Sequence, residues 1–266
     1  MRTKSTAHVH LLPAKEAPYV VIVRRKPTKM FHIIRWNTKD DTFEHGSWFK
    51  GKIYVLYSDV SFDGEWMVYL ARGATGDVWN GCCKLPFLRT HLESGDCSTR
   101  FGGGYWRDRR TLVIDGWTDY RGSVPFDIEN MTGVIGPEGW LIIQRMKRDG
   151  WDWNYDNGGT DRIITGLFKY MVAREGDDGL GWKQSHYGPT LEASYSPYVE
   201  RDYLFEFRLR EYPDLLDSEV EWATFDSLKN LVFTRRGCVF RYSPDDLRRR
   251  EPGFTADLNG LAEGTA

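Results

Sequence analysis

The chain has 266 residues, of which 41% are hydrophobic and 15% aromatic, and its formal net charge is −2. That length suits one large all-β domain and buries enough surface to need no disulfide staples. The charge balance excludes the basic footprint from which nucleic-acid binders draw affinity, and the four cysteines are too sparse for a disulfide scaffold and lack zinc-ligand spacing.

Residues 1–17 read as a flexible N-terminal tail. Pro13, Lys15, Glu16 and Pro18 interrupt any apolar leader. Tyr19–Val23 and Met30–Trp36 are β-branched and aromatic runs separated by a polar turn with Pro27, which predicts a hairpin. Strands are expected at Lys52–Tyr57 and Trp66–Ala71, and a short helix within Gly81–Glu93. Further strands are expected at Thr111–Ile114, Trp140–Arg145, Arg162–Val172, Tyr203–Leu209, Asn230–Phe233 and Cys238–Tyr242. A short helix is expected over Asp245–Arg250, and residues 252–266 read as a flexible C-terminal tail. Between the tails, residues 18–251 read as a single domain. No run of about 18 apolar residues predicts a membrane-spanning helix, so no membrane association and a cytoplasmic location are expected.

Frequent short strands with few helices suggest a propeller, sandwich or barrel. An internal repeat favours the propeller. Asp59-Val-Ser-Phe-Asp63-Gly64-Glu-Trp66-Met-Val-Tyr69 and Gly133-Val-Ile-Gly-Pro-Glu138-Gly139-Trp140-Leu-Ile-Ile143 each place an acid-Gly pair before an apolar strand. Asp-Gly suits a type I′ hairpin, whose two central residues have positive φ. Trp222–Phe233 is a third unit, with Asp226 at its turn and a longer loop. The 75-residue and 88-residue gaps between these acids each span about two blades of roughly 40–45 residues. With weaker units at Arg107–Ile114 and Val199–Phe207 and the N-terminal hairpin, about five degenerate blades are expected.

The segment Asp59–Tyr69 resembles the hairpin of WD40-like PD40 repeats, the type found in TolB-like propellers, and Trp222–Tyr242 resembles another such blade. Phe62 stands where that repeat usually has Pro, and no unit closes on Trp-Asp. The chain as a whole resembles uncharacterised bacterial proteins. The resemblance implies an all-β propeller fold and no particular activity.

Few residues point to chemistry. Asp152, Asn154 and Asp156 place oxygen atoms at alternate positions, as calcium loops do, but Asn157 and Ile163 stand where an EF-hand needs Gly and Glu. Calcium is the one cofactor this pattern suggests; the plainer reading is an Asx-rich turn. Trp151, Trp153 and Tyr155, with Trp117 and Tyr120, are candidates for an aromatic ligand-binding platform, against the alternative of core packing. Phe101-Gly-Gly-Gly-Tyr-Trp106 lacks the Lys-Ser/Thr ending of a phosphate loop, and the six histidines are scattered. The expectation is a non-catalytic binding or scaffold propeller for a protein partner. Two alternatives are a carbohydrate-active or other hydrolytic propeller with carboxylates in a Trp-lined central funnel, and a calcium-dependent ligand binder.

Overall fold

The computed structural model describes residues 6–94, 102–116, 119–131, 140–154, 181–185, 189–195 and 205–264. Strands dominate. β1 (His8–Pro13), β2 (Tyr19–Arg25), β3 (Met30–Asn37) and β4 (Thr42–Ile53) form an antiparallel meander, sheet A. Residues 42–50 of β4 pair with β3, and residues 51–53 pair with β6 (Trp66–Gly73). β4 is thus shared with sheet B, which adds β5 (Asp59–Val60), β7 (Val78–Lys84), β8 (Thr90–Ser94) and later β11 (Tyr120–Gly122). Sheet D holds β9 (Gly104–Trp106), β10 (Thr111–Ile114) and β12 (Asp127–Asn130), with β10 and β12 parallel. Helix α1 (Trp140–Arg148) precedes sheet E: β13 (Trp151–Asn154), β14 (Gly181–Ser185), β15 (Thr190–Tyr195) and β16 (Phe205–Leu209). Sheet F closes the chain with β17 (Val220–Phe225), β18 (Leu231–Arg235), β19 (Cys238–Tyr242) and β20 (Phe254–Asp257).

Burial explains why the strands read as continuous apolar runs. Along β2, Val20 and Ile22 enter one core with β17 and β18, while Val21 and Val23 enter a second core with β6. β3 repeats the division, with Ile34 and Trp36 on one side and Phe31 and Ile33 on the other. In sheet B, Met67, Tyr69 and Cys83 face sheet A, while Val68 and Cys82 face Trp106, Leu112 and Ile114 of sheet D. Successive side chains of a strand point to opposite faces, so a sheet packed on both sides is apolar at every position. Each fully buried Ile or Leu here is worth roughly 1.5–3 kcal/mol. Sheets therefore stack in the order F, A, B, D. α1 touches β9 on one side and β13 on the other, and β16 touches β17, which completes a ring of five sheets. The all-β expectation holds, with a propeller-like order of sheets stacked face to face.

Several expectations are corrected. Residues 8–13 are the strand β1, and Ala7, Val9 and Leu11 are fully buried. The free edge of β1 is covered: the Glu221 carboxylate accepts the Val9 N–H at 2.7 Å, and the Thr234 hydroxyl donates to the Val9 carbonyl at 2.9 Å. At the other end, residues 254–257 are the strand β20. The fully buried Arg24 guanidinium donates to the carbonyls of Leu258 (2.6 Å), Asn259 (3.3 Å) and Leu261 (2.9 Å), holding the segment after β20.

Gly81–Glu93 is no helix. Residues 78–84 pair with β6, residues 90–94 pair with β7, and adjacent Cys82 and Cys83 fall on opposite faces. Residues 140–145 belong to α1 rather than a strand. A short apolar run fits either state, and the cations Arg145, Lys147 and Arg148 in the last turn suit a helix C-terminus. Lys52–Tyr57 breaks at Ile53 into a 3-10 turn over Val55–Tyr57.

Turn chemistry is partly as expected. At Asp63-Gly64 only Gly64 has positive φ, +74°, so the turn is not type I′. The Ser61 hydroxyl donates to Asp63 and accepts the Trp66 N–H, which holds the hairpin. Asp226 closes the β17–β18 turn by accepting from the Asn230 backbone and side chain. The last helix, α2 (Pro244–Arg249), starts on a capping box between Ser243 and Asp246. Glu138-Gly139 and residues 162–172 lie outside the described residues.

Candidate functional site

β1, β5, β17 and α1 bring polar side chains, and β9 backbone groups, to a common hub. Its anchor is Asp59, on the first residue of β5, whose side chain is 2% exposed. One Asp59 oxygen accepts the Trp106 N–H from β9 at 2.7 Å. Arg148 engages both Asp59 oxygens, one at 3.0 Å, and also donates to the Trp106 carbonyl at 2.9 Å. Its Nε donates to Asp149 at 2.8 Å. Arg148 therefore lies between two carboxylates, and three elements converge on one guanidinium. Asp149 and Asp59 hold Arg148 above the usual arginine range against the opposing effect of burial. Burial pushes the Asp149 carboxyl up, against the pull of Arg148.

One turn earlier on α1, Arg145 is buried as well, at 4% exposure. Its Nη1 donates to the carbonyls of Ser58 and Val55, the latter at 3.4 Å. The Val55 carbonyl also accepts the Ser58 N–H within the 3-10 turn, at 3.2 Å. Burial lowers the Arg145 pKa, opposed by Asp59 and Asp149. The guanidinium lies 5.9 Å from the Trp222 ring of β17. The His10 imidazole of β1 packs on the same ring at 4.1 Å between centroids. Phe205 and Phe207 of β16 meet Trp222 edge-on at 5.4 and 5.5 Å. Burial, then the nearby Arg145 charge, holds His10 well below the usual imidazole range, so it is neutral near pH 7.

Among the described residues, three nitrogen atoms of this group have no hydrogen-bond partner: Arg145 Nη2, His10 Nε2 and Trp222 Nε1. Buried polar groups are almost always paired, and one left unpaired costs about 1–3 kcal/mol.

Of the expected aromatic platform, the side chains of Trp151 and Tyr120 alone are described. Trp151 is 4% exposed and packs in the core shared by sheets A, E and F. Tyr120 packs beside the sheet B–D core and donates its hydroxyl to Asn130. Of Trp153, Asp152 and Asn154, only the backbone in β13 is described, and Trp117, Tyr155 and Asp156 lie outside the described residues. The calcium pattern therefore falls mostly outside what the structure describes. Among the described residues, no group of three or more His, Cys, Asp or Glu could hold a metal ion, and no helix is long and apolar enough to cross a membrane.

The hub residues were hidden in sequence. His10 sits in the presumed tail, Arg145 in a presumed strand and Trp222 in a turn lead-in. The available signal was Asp59, an acid at the start of the best-defined repeat, followed by a strand apolar on both faces.

No family model matches the chain, and no curated protein matches it. Among solved structures, an uncharacterized protein from Listeria monocytogenes EGD-e aligns at 9% identity and a TM-score of 0.27, covering 91% of this chain. This chain spans 60% of that one. The β-propeller domain of the Trilobed protease from Pyrococcus furiosus aligns at 9% identity and a TM-score of 0.33, covering 97% of this chain and 86% of that one. The acylaminoacyl peptidase of Pyrococcus horikoshii aligns at 14% identity and a TM-score of 0.33, covering 97% of this chain and 46% of that one.

Proposed function

We propose that this chain is a non-catalytic binding module, a small propeller of PD40-type hairpins that engages a protein partner at the centre of its ring. The observation that carries this reading is the engagement of Asp59. Its two oxygens accept the Trp106 N–H and both Nη groups of Arg148. A carboxylate so occupied has little capacity left for proton transfer. It serves as a clamp that fixes sheets B and D to α1. Buried free thiols at Cys82 and Cys83 agree with a reducing, cytoplasmic setting.

A second reading, a hydrolytic propeller, is favoured by one specific observation. Asp149 is pushed up by burial while it shares Arg148 with Asp59. Carboxylates with divergent environments are a pattern of acid–base pairs.

One experiment separates the two. The purified chain and its Asp149→Asn variant are assayed on chromogenic esters, aryl glycosides and a fluorogenic peptide pool. In parallel, lysate proteins are captured on the immobilised chain. The binding reading predicts no turnover that depends on Asp149, and a captured protein that Arg145→Met loses when each chain is tested well below its own melting temperature. Turnover abolished by Asp149→Asn would establish the hydrolytic reading instead.

A further inference from the structure

We propose that His32 and His45 form an acid-sensitive switch on the contact that ties residues 258–261 to sheet A. Proton uptake by the pair drives Arg24 off that segment and frees it. The switch is independent of what the ring binds; it concerns how sheet A holds the chain that follows sheet F.

The latch is a set of bonds from sheet A to backbone carbonyls. Arg24 donates to Leu258, Asn259 and Leu261, and Lys26 Nζ donates to Asn259 at 3.1 Å. Asn259 Oδ1 in turn accepts the Ala7 N–H at 2.7 Å. His32 is the direct cross-strand partner of Arg24 in the β2–β3 pair, and Trp48 is the partner of His32 in the β3–β4 pair. Directly opposite residues of antiparallel strands hold their side chains about 5 Å apart on one face. The alternation that sends Ile22 and Ile34 into the core shared with sheet F puts Arg24 and His32 on that same face. The Trp48 ring packs on His32 at 4.0 Å and lies 5.7 Å from the Arg24 guanidinium carbon. His45, opposite Ile34, places its Nδ1 3.3 Å from His32 Nε2.

Neutral, the two imidazoles share one proton between these nitrogen atoms. Among the described residues, His32 Nδ1 is buried without a hydrogen-bond partner. An imidazolium at His32 would add an N–H with no acceptor, and a positive charge opposite Arg24. The charged or titratable groups facing His32 are His45 from β4 and Arg24 from β2, and both oppose its charge. Arg24 faces Asp257 of β20, which favours the guanidinium and also acts on Lys26. Of the neighbouring groups, Glu44 is committed to Arg35 at 2.6 Å, His8 lies 3.7 Å from Glu221, and Cys238 of β19 bonds Asp257. Burial and the two facing cations lower His32 to about 4, and burial lowers His45. A group lowered in the latched state binds its proton more tightly once the latch opens, so acid favours opening. With His32 restored to its ordinary 6.5 in the open state, opening gains up to about tenfold per pH unit between 6.5 and 4. Partly exposed His45 gives the pair access to solvent protons. A second tie between sheets A and F, Arg241 to Asp41 at 2.7 and 2.9 Å, lies outside this row, so release stays local.

The test is hydrogen exchange of the whole chain between about pH 7 and pH 5, read as protection factors so that the intrinsic pH dependence of exchange is removed. Protection of residues 254–261 and of the Ala7 amide should fall at least about tenfold over that range. Protection of β6 (Trp66–Gly73) should change less than about twofold. His32→Leu should abolish the fall at residues 254–261, and His32→Gln, also neutral, serves if the leucine variant does not fold. Constant protection of residues 254–261 in the wild-type chain, or an equal fall in β6, overturns the switch whatever the variants do. A fall that persists in a folded His32 variant overturns it as well.

Discussion

Arg148 of α1 grips Asp59 of β5 through both terminal nitrogens, and the same carboxylate accepts the backbone N–H of Trp106 from β9 at 2.7 Å. One ion pair thus joins sheet B, sheet D and the only helix described between sheets D and E. Its partners are buried, so removing one leaves the other uncompensated. Arg148→Met should cost about 3–5 kcal/mol by urea denaturation. The double variant with Asp59→Asn should cost less than the sum of the two single changes, because the residues are in direct contact. Additive costs would show that the pair is not coupled.

The C-terminal segment is predicted to depend on Arg24. Its guanidinium is buried and donates to three carbonyls between Leu258 and Leu261. Arg24→Met keeps most of the stem but removes every donor. About 2–4 kcal/mol of stability should be lost, and limited proteolysis should cut first after β20. Unchanged protection of residues 254–261 in hydrogen exchange would contradict this.

A pH effect follows from the His32–His45 pair, whose ring nitrogens lie 3.3 Å apart against Trp48. Burial, with the His45 and Arg24 charges, lowers His32 to about 4. Burial also lowers His45. A group lowered in the folded state contributes stability that is present above its unfolded value of 6.5 and lost as pH falls through the folded value. The melting temperature should therefore fall between pH 6.5 and pH 4, and His32→Leu should flatten the decline. His10 acts in the same direction, so some slope should remain.

Gly103 has φ of +93°, and an added Cβ would lie 2.3 Å from the Tyr57 carbonyl oxygen. Its N–H donates to Asn80 at 2.6 Å, which ties sheet D to β7. Gly103→Ala should destabilise by about 2–3 kcal/mol, combining left-handed strain with a backbone clash. A thermal melt within a degree of wild type would refute that.

How far the sequence revealed this fold is clearest in sheets A and F. The runs Tyr19–Val23 and Met30–Trp36 are apolar at successive positions because both faces of sheet A are covered, and Asp226 marks a turn whose hydrogen bonds are local. Local chemistry of this kind is written in adjacent residues. Trp140 to Arg145 reads as a strand because its helical state depends on where Arg145 and Arg148 find partners, in segments about 90 positions away. β1 was hidden for a related reason. His8-Val-His-Leu-Leu-Pro13 has modest strand character, and its edge is satisfied by Glu221 and Thr234, more than 200 residues distant. The hub was illegible because each donor comes from a different element, and only the ring brings them to one indole.

The most direct test of the account is capture of a protein partner on the immobilised chain, run beside a turnover assay of the same preparation and of Asp149→Asn. The account predicts a retained protein and no turnover that depends on Asp149. Turnover abolished by Asp149→Asn would contradict it.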